Sequence, residues 1–163
     1  MKYSNKQQSG LTIVEVLVTL AVLSLVLTAV SGSILSSFDV AKTTQNSFIA
    51  SGLAQEGMEI VRNIRDNGFV AGSDLSVLPN GNFRVQWSDQ SISQAAGAID
   101  SEPELRRDDN GLMSYGGANG SGFRRVITIT GNNNEKNIVV TVGWTERGRN
   151  KALIAETVLY NWR

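Results

Sequence analysis

The chain has neither histidine nor cysteine, so the usual general base, the thiolate nucleophile and the soft metal ligands are all missing. The side chain with the most unusual setting is Glu15. It is the single charge in the 25 residues from Leu11 to Leu35, one helical turn inside a run that is otherwise apolar. A charge at the centre of a bilayer costs roughly 2.5–3.5 kcal/mol, and less toward the edge, so an acid placed here calls for a cationic partner. Three weaker signals lie further on. Asp108-Asp109-Asn110-Gly111 gathers oxygen ligands of the kind calcium takes, but it lacks the twelve-residue spacing of an EF-hand and reads as a turn. Arg106-Arg107 and Arg124-Arg125, with Arg147, Arg149 and Lys151, could form a basic patch for nucleic acid. Fifteen acids against fifteen bases favour an ordinary solvated surface instead. Trp87, Trp144 and Trp162 fall in segments with strand character and read as core or sheet-face residues rather than a sugar platform. No catalytic residue, metal or cofactor is expected.

The elements that position Glu15 follow from hydropathy. Residues 11–35 are long enough, at ~1.5 Å per residue, to cross a ~30 Å hydrocarbon core as a helix. Lys2 and Lys6 precede the run and no acid does, which predicts a cytoplasmic N-terminus and an exported remainder. Helical patterning continues through residues 36–66, which contain no proline. Phe38 and Ala41, then, after a gap of eight, Ile49, Leu53, Gly57, Ile60 and Ile64 recur three or four apart and form one face, widened by Phe48, Met58 and Val61. Asn67-Gly68 reads as the stop. Residues 67–163 read as a β-rich extracytoplasmic domain. Phe83–Trp87 and Leu112–Tyr115 are short strands, residues 88–104 are irregular with a helical turn near Gln94–Ile99, and Gly116–Gly122 is a flexible loop. Phe123–Thr130, Asn137–Thr145 and Lys151–Trp162 are β-branched runs separated by Gly/Asn turns and predict an antiparallel meander. Its apolar face needs a cover, and the stripe on residues 36–66 can supply it. The fold class is therefore α+β, a long N-terminal helix packed in its second half on a C-terminal antiparallel sheet.

Gly10-Leu11-Thr12-Ile13-Val14-Glu15 resembles the processing signature of type IV pilins and type II secretion pseudopilins: a short basic leader ending in glycine, an apolar residue, and glutamate fifth in the mature chain. The resemblance implies cleavage between Gly10 and Leu11 by a prepilin peptidase, N-methylation of Leu11, and Glu15 as an assembly contact to the N-terminal amine of a neighbouring subunit. Residues 1–10 would be the leader and 11–35 the transmembrane and assembly helix. Leu11 stands where many members have phenylalanine. The helix-softening proline of many members is missing, with Ser31-Gly32-Ser33 in that region. The disulfide of many members is missing too. Glu15-Val16-Leu17-Val18 and Leu53-Ala54-Gln55-Glu56-Gly57-Met58-Glu59 resemble minor pilins of the PilV kind.

Two readings of the N-terminus compete with this one. A secretory signal cut after Ala29-Val30-Ser31 would be unusually long and would contain Glu15; an uncleaved anchor would leave Gly10 intact. Before assembly the apolar helix would sit in lipid as a single inner-membrane pass. Small residues Ala21, Ala29, Ser31, Gly32 and Ser33 would then let neighbouring helices approach in a filament. The expected partners are other pilin subunits, prepilin peptidase, the inner-membrane assembly platform and the bilayer. The expected function is that of a structural subunit, a minor pilin, of a type IV pilus at the cell surface. The alternatives are a minor pseudopilin of a secretion or DNA-uptake system, or an anchored binding module that never polymerises.

Overall fold

A computed structural model describes residues 12–92 and 94–162, and the chain divides into two compact units between Thr43 and Thr44. One helix, α1 (Ile13–Val70), runs through that division. In the first unit every residue from Ile13 to Thr43 is exposed. The apolar residues there are spread around the whole circumference, so this part has no inward face.

In the second unit α1 lies on an antiparallel sheet. Strands β1 (Gly81–Arg84), β2 (Gln94–Ala95), β6 (Phe123–Gly131), β7 (Glu135–Glu146) and β8 (Arg149–Tyr160) form it in the order β2-β1-β6-β7-β8. The three long strands are the predicted meander. The β7–β8 turn holds Arg147 and Gly148 both at positive φ, the geometry that matches strand twist. At the β6–β7 turn, Asn132 Oδ1 accepts the amides of Asn134 and Glu135 at 2.8 and 3.1 Å. The core lies between α1 and the sheet. Leu53, Ala54, Ile60, Val61 and Ile64 from the helix meet Ile127, Ile129, Ile138, Val140 and Val142 from β6 and β7. Gly57 lets the two layers close, since a Cβ there would stand 3.2 Å from both Arg125 Cδ and Val140 Cγ1.

Several expectations change. Asn67-Gly68 does not end the helix. Gly68 sits inside it, where a Cβ would meet Val77 at 2.8 Å, and Phe69 is buried one residue on. The stop is Gly72, at φ +87, with Ser73 N–H bonded to Gly68 O at 2.9 Å and Gly72 N–H to Phe69 O at 3.1 Å. This is a Schellman closure. Burial of Phe69 against the Trp162 ring, 5.3 Å away, favours the extra turn. The stripe also differs at its margins: Phe48 is exposed, while Ala50 and Ala54 are fully buried. On the exposed side of the helix Glu59 and Arg62, three apart, form an ion pair, and Asp66 pairs with Arg65 at 2.7 Å.

The segment between β2 and β6 is more ordered than its composition suggests. The helical turn expected over Gln94–Ile99 is instead strand β2 followed by a 3-10 turn at Ile99–Ser101. Strands β3 (Arg106–Arg107), β4 (Met113–Ser114) and β5 (Asn119–Gly120) form a second, small antiparallel sheet in the order β4-β3-β5. Thus Arg106-Arg107 is a strand, the strand expected over Leu112–Tyr115 is present as β4, and Gly116–Gly122, expected as a flexible loop, includes another. Glu102 anchors the segment: its buried carboxylate meets Arg84 Nε at 2.6 Å and accepts the Gly97 amide at 2.6 Å. Strand β1 stops at Arg84, so Trp87 falls in the turn that follows it.

Arg125 overturns its surface assignment most sharply. It projects into the core from β6 and is fully buried. Its guanidinium donates to Leu53 O at 2.9 Å and Val85 O at 2.7 Å, and lies 3.5 Å from the Glu56 carboxylate. One side chain thereby joins α1, β6 and the end of β1. Tyr115 Oη donates to the Arg125 backbone carbonyl at 3.1 Å. Burial lifts the Tyr115 hydroxyl above its ordinary pKa, partly offset by the Arg125 charge.

Candidate assembly site

The N-terminal end of α1 is shaped by Thr12 and Glu15. Thr12 Oγ1 accepts the backbone amide of Glu15 at 3.3 Å, the position of an N-cap bonded to the third helical residue. Thr12-Ile13-Val14-Glu15 is thus a threonine–glutamate capping pattern, a role the pattern T-x-x-E before an apolar run signals in sequence. Glu15 also sits in the first turn, where the helix dipole favours an acid. That local benefit is typically 0.3–1 kcal/mol, smaller than the cost of a charge in hydrocarbon, so the cap alone does not account for an acid in lipid. Gly10 and Leu11 lie outside the described residues.

Around Glu15, Ile13, Val14 and Leu17 are all strongly exposed. The hydroxyls along this part of the helix do not add unsatisfied polarity. Thr19, Ser24, Thr28, Ser31, Ser33 and Ser37 each donate to a backbone carbonyl three or four residues earlier, at 2.8–3.2 Å. A hydroxyl bonded to its own helix can enter lipid or a helix–helix contact without losing its partner. The stretch is long and apolar enough to cross a membrane.

Further along, Ala29, Ser33, Ser37 and Ala41 repeat every fourth residue and floor an open groove of about 580 Å³ walled by Val30, Ile34 and Phe38. Ala29 and Ser33 were among the small residues expected to admit a neighbouring helix. Ser37 and Ala41 extend that row, and only the four-residue spacing of the helix reveals it.

The other sequence candidates are not brought together here. Asp108 Oδ1 caps its own hairpin by accepting the amides of Asn110 and Leu112 at 2.9 and 2.8 Å. Of the proposed basic patch, Arg125 is buried in the core and Arg124 is held by Glu102 O and Glu104. Trp144 is in the core as expected, whereas Trp87 and Trp162 are exposed.

A family model described as the prokaryotic N-terminal methylation motif matches residues 5–31. The match takes in the Gly10–Leu11 junction, Glu15 and the first half of the exposed helix. Over these residues the chain resembles the N-terminus of type IV pilins and pseudopilins. No curated protein and no solved structure matches the chain. The motif and the architecture agree: a pilin-like chain has a long N-terminal helix, apolar at its start, whose later part packs on an antiparallel sheet.

Proposed function

We propose that this chain is a structural subunit, a minor pilin of a type IV pilus or of a closely related pseudopilus. In this reading a prepilin peptidase cuts between Gly10 and Leu11, and the new Leu11 amine is methylated. The subunit waits as a single inner-membrane pass with its head outside. The assembly platform then moves it into the fibre, where Glu15 meets the amine of a neighbour. The observation that carries the reading is Glu15 itself: an acid in the first turn of α1, in a stretch from Ile13 to Thr43 that is exposed on every side, while the head takes its helical core residues only from Ala50 onward. Lipid can solvate the apolar surface but not the charge. A neighbouring helix offset along a fibre, carrying a cationic N-terminus, solvates both. The helix directs its own amine away along its axis, so the partner is another subunit.

The test compares sheared filaments with membranes in cells expressing wild type, Glu15→Gln and Glu15→Val. Both variants should be cleaved and inserted normally, and both should be depleted from filaments. Glu15→Val makes the helix more apolar, so a loss in both variants reports the charge rather than insertion. Equal incorporation of all three would remove Glu15 from assembly. An intact mass that begins at Met1, or a chain cut after Ser31, would overturn the processing step, whereas Gly10→Val should accumulate as precursor.

A further inference from the structure

Trp87 is more than half exposed, at 54%, yet the turn that carries it is tightly held. The Gln86 amide donates to Asp89 Oδ2 at 3.0 Å, and the Asp89 amide returns to Gln86 O at 3.0 Å. Gln86 Nε2 donates to Ser88 Oγ at 3.2 Å, and Gln86 Oε1 accepts the Tyr115 amide at 3.3 Å. One residue before the turn, the buried Arg125 guanidinium fixes Val85 O. The indole is therefore presented to water on a rigid support rather than left at the tip of a loose loop.

Facing it are Asn63 and Asn67, four residues apart on one side of α1 and bonded to each other at 2.8 Å through Asn67 Nδ2 and Asn63 Oδ1. Asn63, Asn67, Trp87, Ser88, Asp89 and Gln90 line a groove of about 660 Å³, within the ~300–1,000 Å³ range of small-ligand sites. The Asn63–Asn67 bond orients both amides and leaves Asn63 Nδ2 as a donor and Asn67 Oδ1 as an acceptor. Gln90 adds an amide with both capacities. Among the described residues no lysine or arginine lines the groove, and its one acid, Asp89, has an oxygen committed to the Gln86 amide.

We propose that this groove binds a neutral saccharide, with Trp87 as the stacking platform and Asn63, Asn67 and Gln90 as hydroxyl partners. A pyranose ring has an apolar C–H face and a rim of hydroxyls that both donate and accept. An exposed indole beside amides matches the two in one site. The absence of cations from the lining disfavours phosphates and nucleic acid, and an apolar peptide would find one aromatic and no further apolar wall. The site lies wholly within the second unit and does not depend on how the chain assembles.

The test uses the full chain, isotope-labelled in phosphocholine micelles, because glycoside detergents would compete. Methyl glycosides of glucose, galactose and N-acetylglucosamine are titrated in turn. The Trp87 indole resonance is identified by its loss in Trp87→Phe. For at least one probe, the Trp87 indole N–H and the side-chain amides of Asn63, Asn67 and Gln90 should shift on one saturating curve, with Kd on the order of 1 mM, while Trp144 and Trp162 stay still. Trp87→Ala and Asn67→Ala each alter an exposed residue and should weaken that binding at least about tenfold. No shift with any probe up to ~50 mM would overturn the proposal. So would uniform movement of all three indoles, or unchanged binding in both alanine variants.

Discussion

Between Ile13 and Thr43, α1 is exposed on every side; between Ala50 and Phe69 it places eight residues in a core. The backbone is the same helix, and the residue types overlap: leucine, valine, isoleucine and alanine dominate the apolar positions of both. What differs is arrangement. In the first part apolar residues occupy the whole circumference, so no single neighbour on one side could cover them. In the second they form a stripe, and β6 and β7 cover that stripe with Ile127, Ile129, Ile138, Val140 and Val142. The comparison teaches that a leucine's contribution depends on what its helix meets. In the first part the cover has to come from lipid or other subunits, in the second from the chain's own sheet.

The largest effect should come from the same substitution made in both parts. Leu53→Ala removes a buried side chain and should lower the unfolding free energy of the head by about 2–5 kcal/mol in micelles. Leu27→Ala, at a site exposed in the isolated chain, should change it by less than about 0.5 kcal/mol. Denaturant titration followed by near-ultraviolet dichroism reads both. Comparable losses would mean that the head uses the first part of the helix after all.

Glycines sharpen the contrast at intermediate size. Gly52 is exposed and helical with open space at its Cβ, so Gly52→Ala should stabilise the head by about 1 kcal/mol through helix propensity. Gly72 also has open space, but its φ of +87 belongs to the helix stop, so Gly72→Ala should destabilise by about 1 kcal/mol. Equal signs in thermal melts would show that Gly72 is not the element that ends α1.

The smallest expected effect is electrostatic and confined to the head. Burial raises the Tyr115 pKa above its unfolded value, which means the fold favours the neutral phenol. That contribution is complete below the unfolded pKa of about 10 and is lost as pH rises through the folded value. Wild type should therefore lose stability with rising pH above about 10 more steeply than Tyr115→Phe. Matching slopes would place Tyr115 in solvent.

Legibility followed the range of the signal. The apolar run, the acid within it, the helical stripe and the β-branched meander were all written locally, in hydropathy and periods of 3.6 and 2. The stop lies at Gly72 rather than at Asn67-Gly68 because Phe69 gains burial from residues distant in sequence, among them Trp162, 93 positions away in the chain. Of the small sheet, β4 falls in the strand expected over Leu112–Tyr115, whereas β3 and β5 are not legible because two-residue strands carry no periodicity.

Arg125 and Trp87 mark the boundary between the two kinds of information. From sequence, an arginine beside another arginine reads as surface, and a tryptophan in an alternating run reads as core. The structure reverses both. Arg125 can enter the core because carbonyls from α1 and from the end of β1, together with Glu56, converge on its guanidinium. Trp87 is left in water because β1 ends early and its turn closes through Asp89. Composition and order along the chain determined that this protein has an apolar helix with one misplaced charge and a sheet to cover its second half. Which polar group is buried, and which aromatic is not, was decided only when segments far apart in sequence supplied or withheld hydrogen-bond partners, because desolvating a polar group is tolerable only where such partners converge.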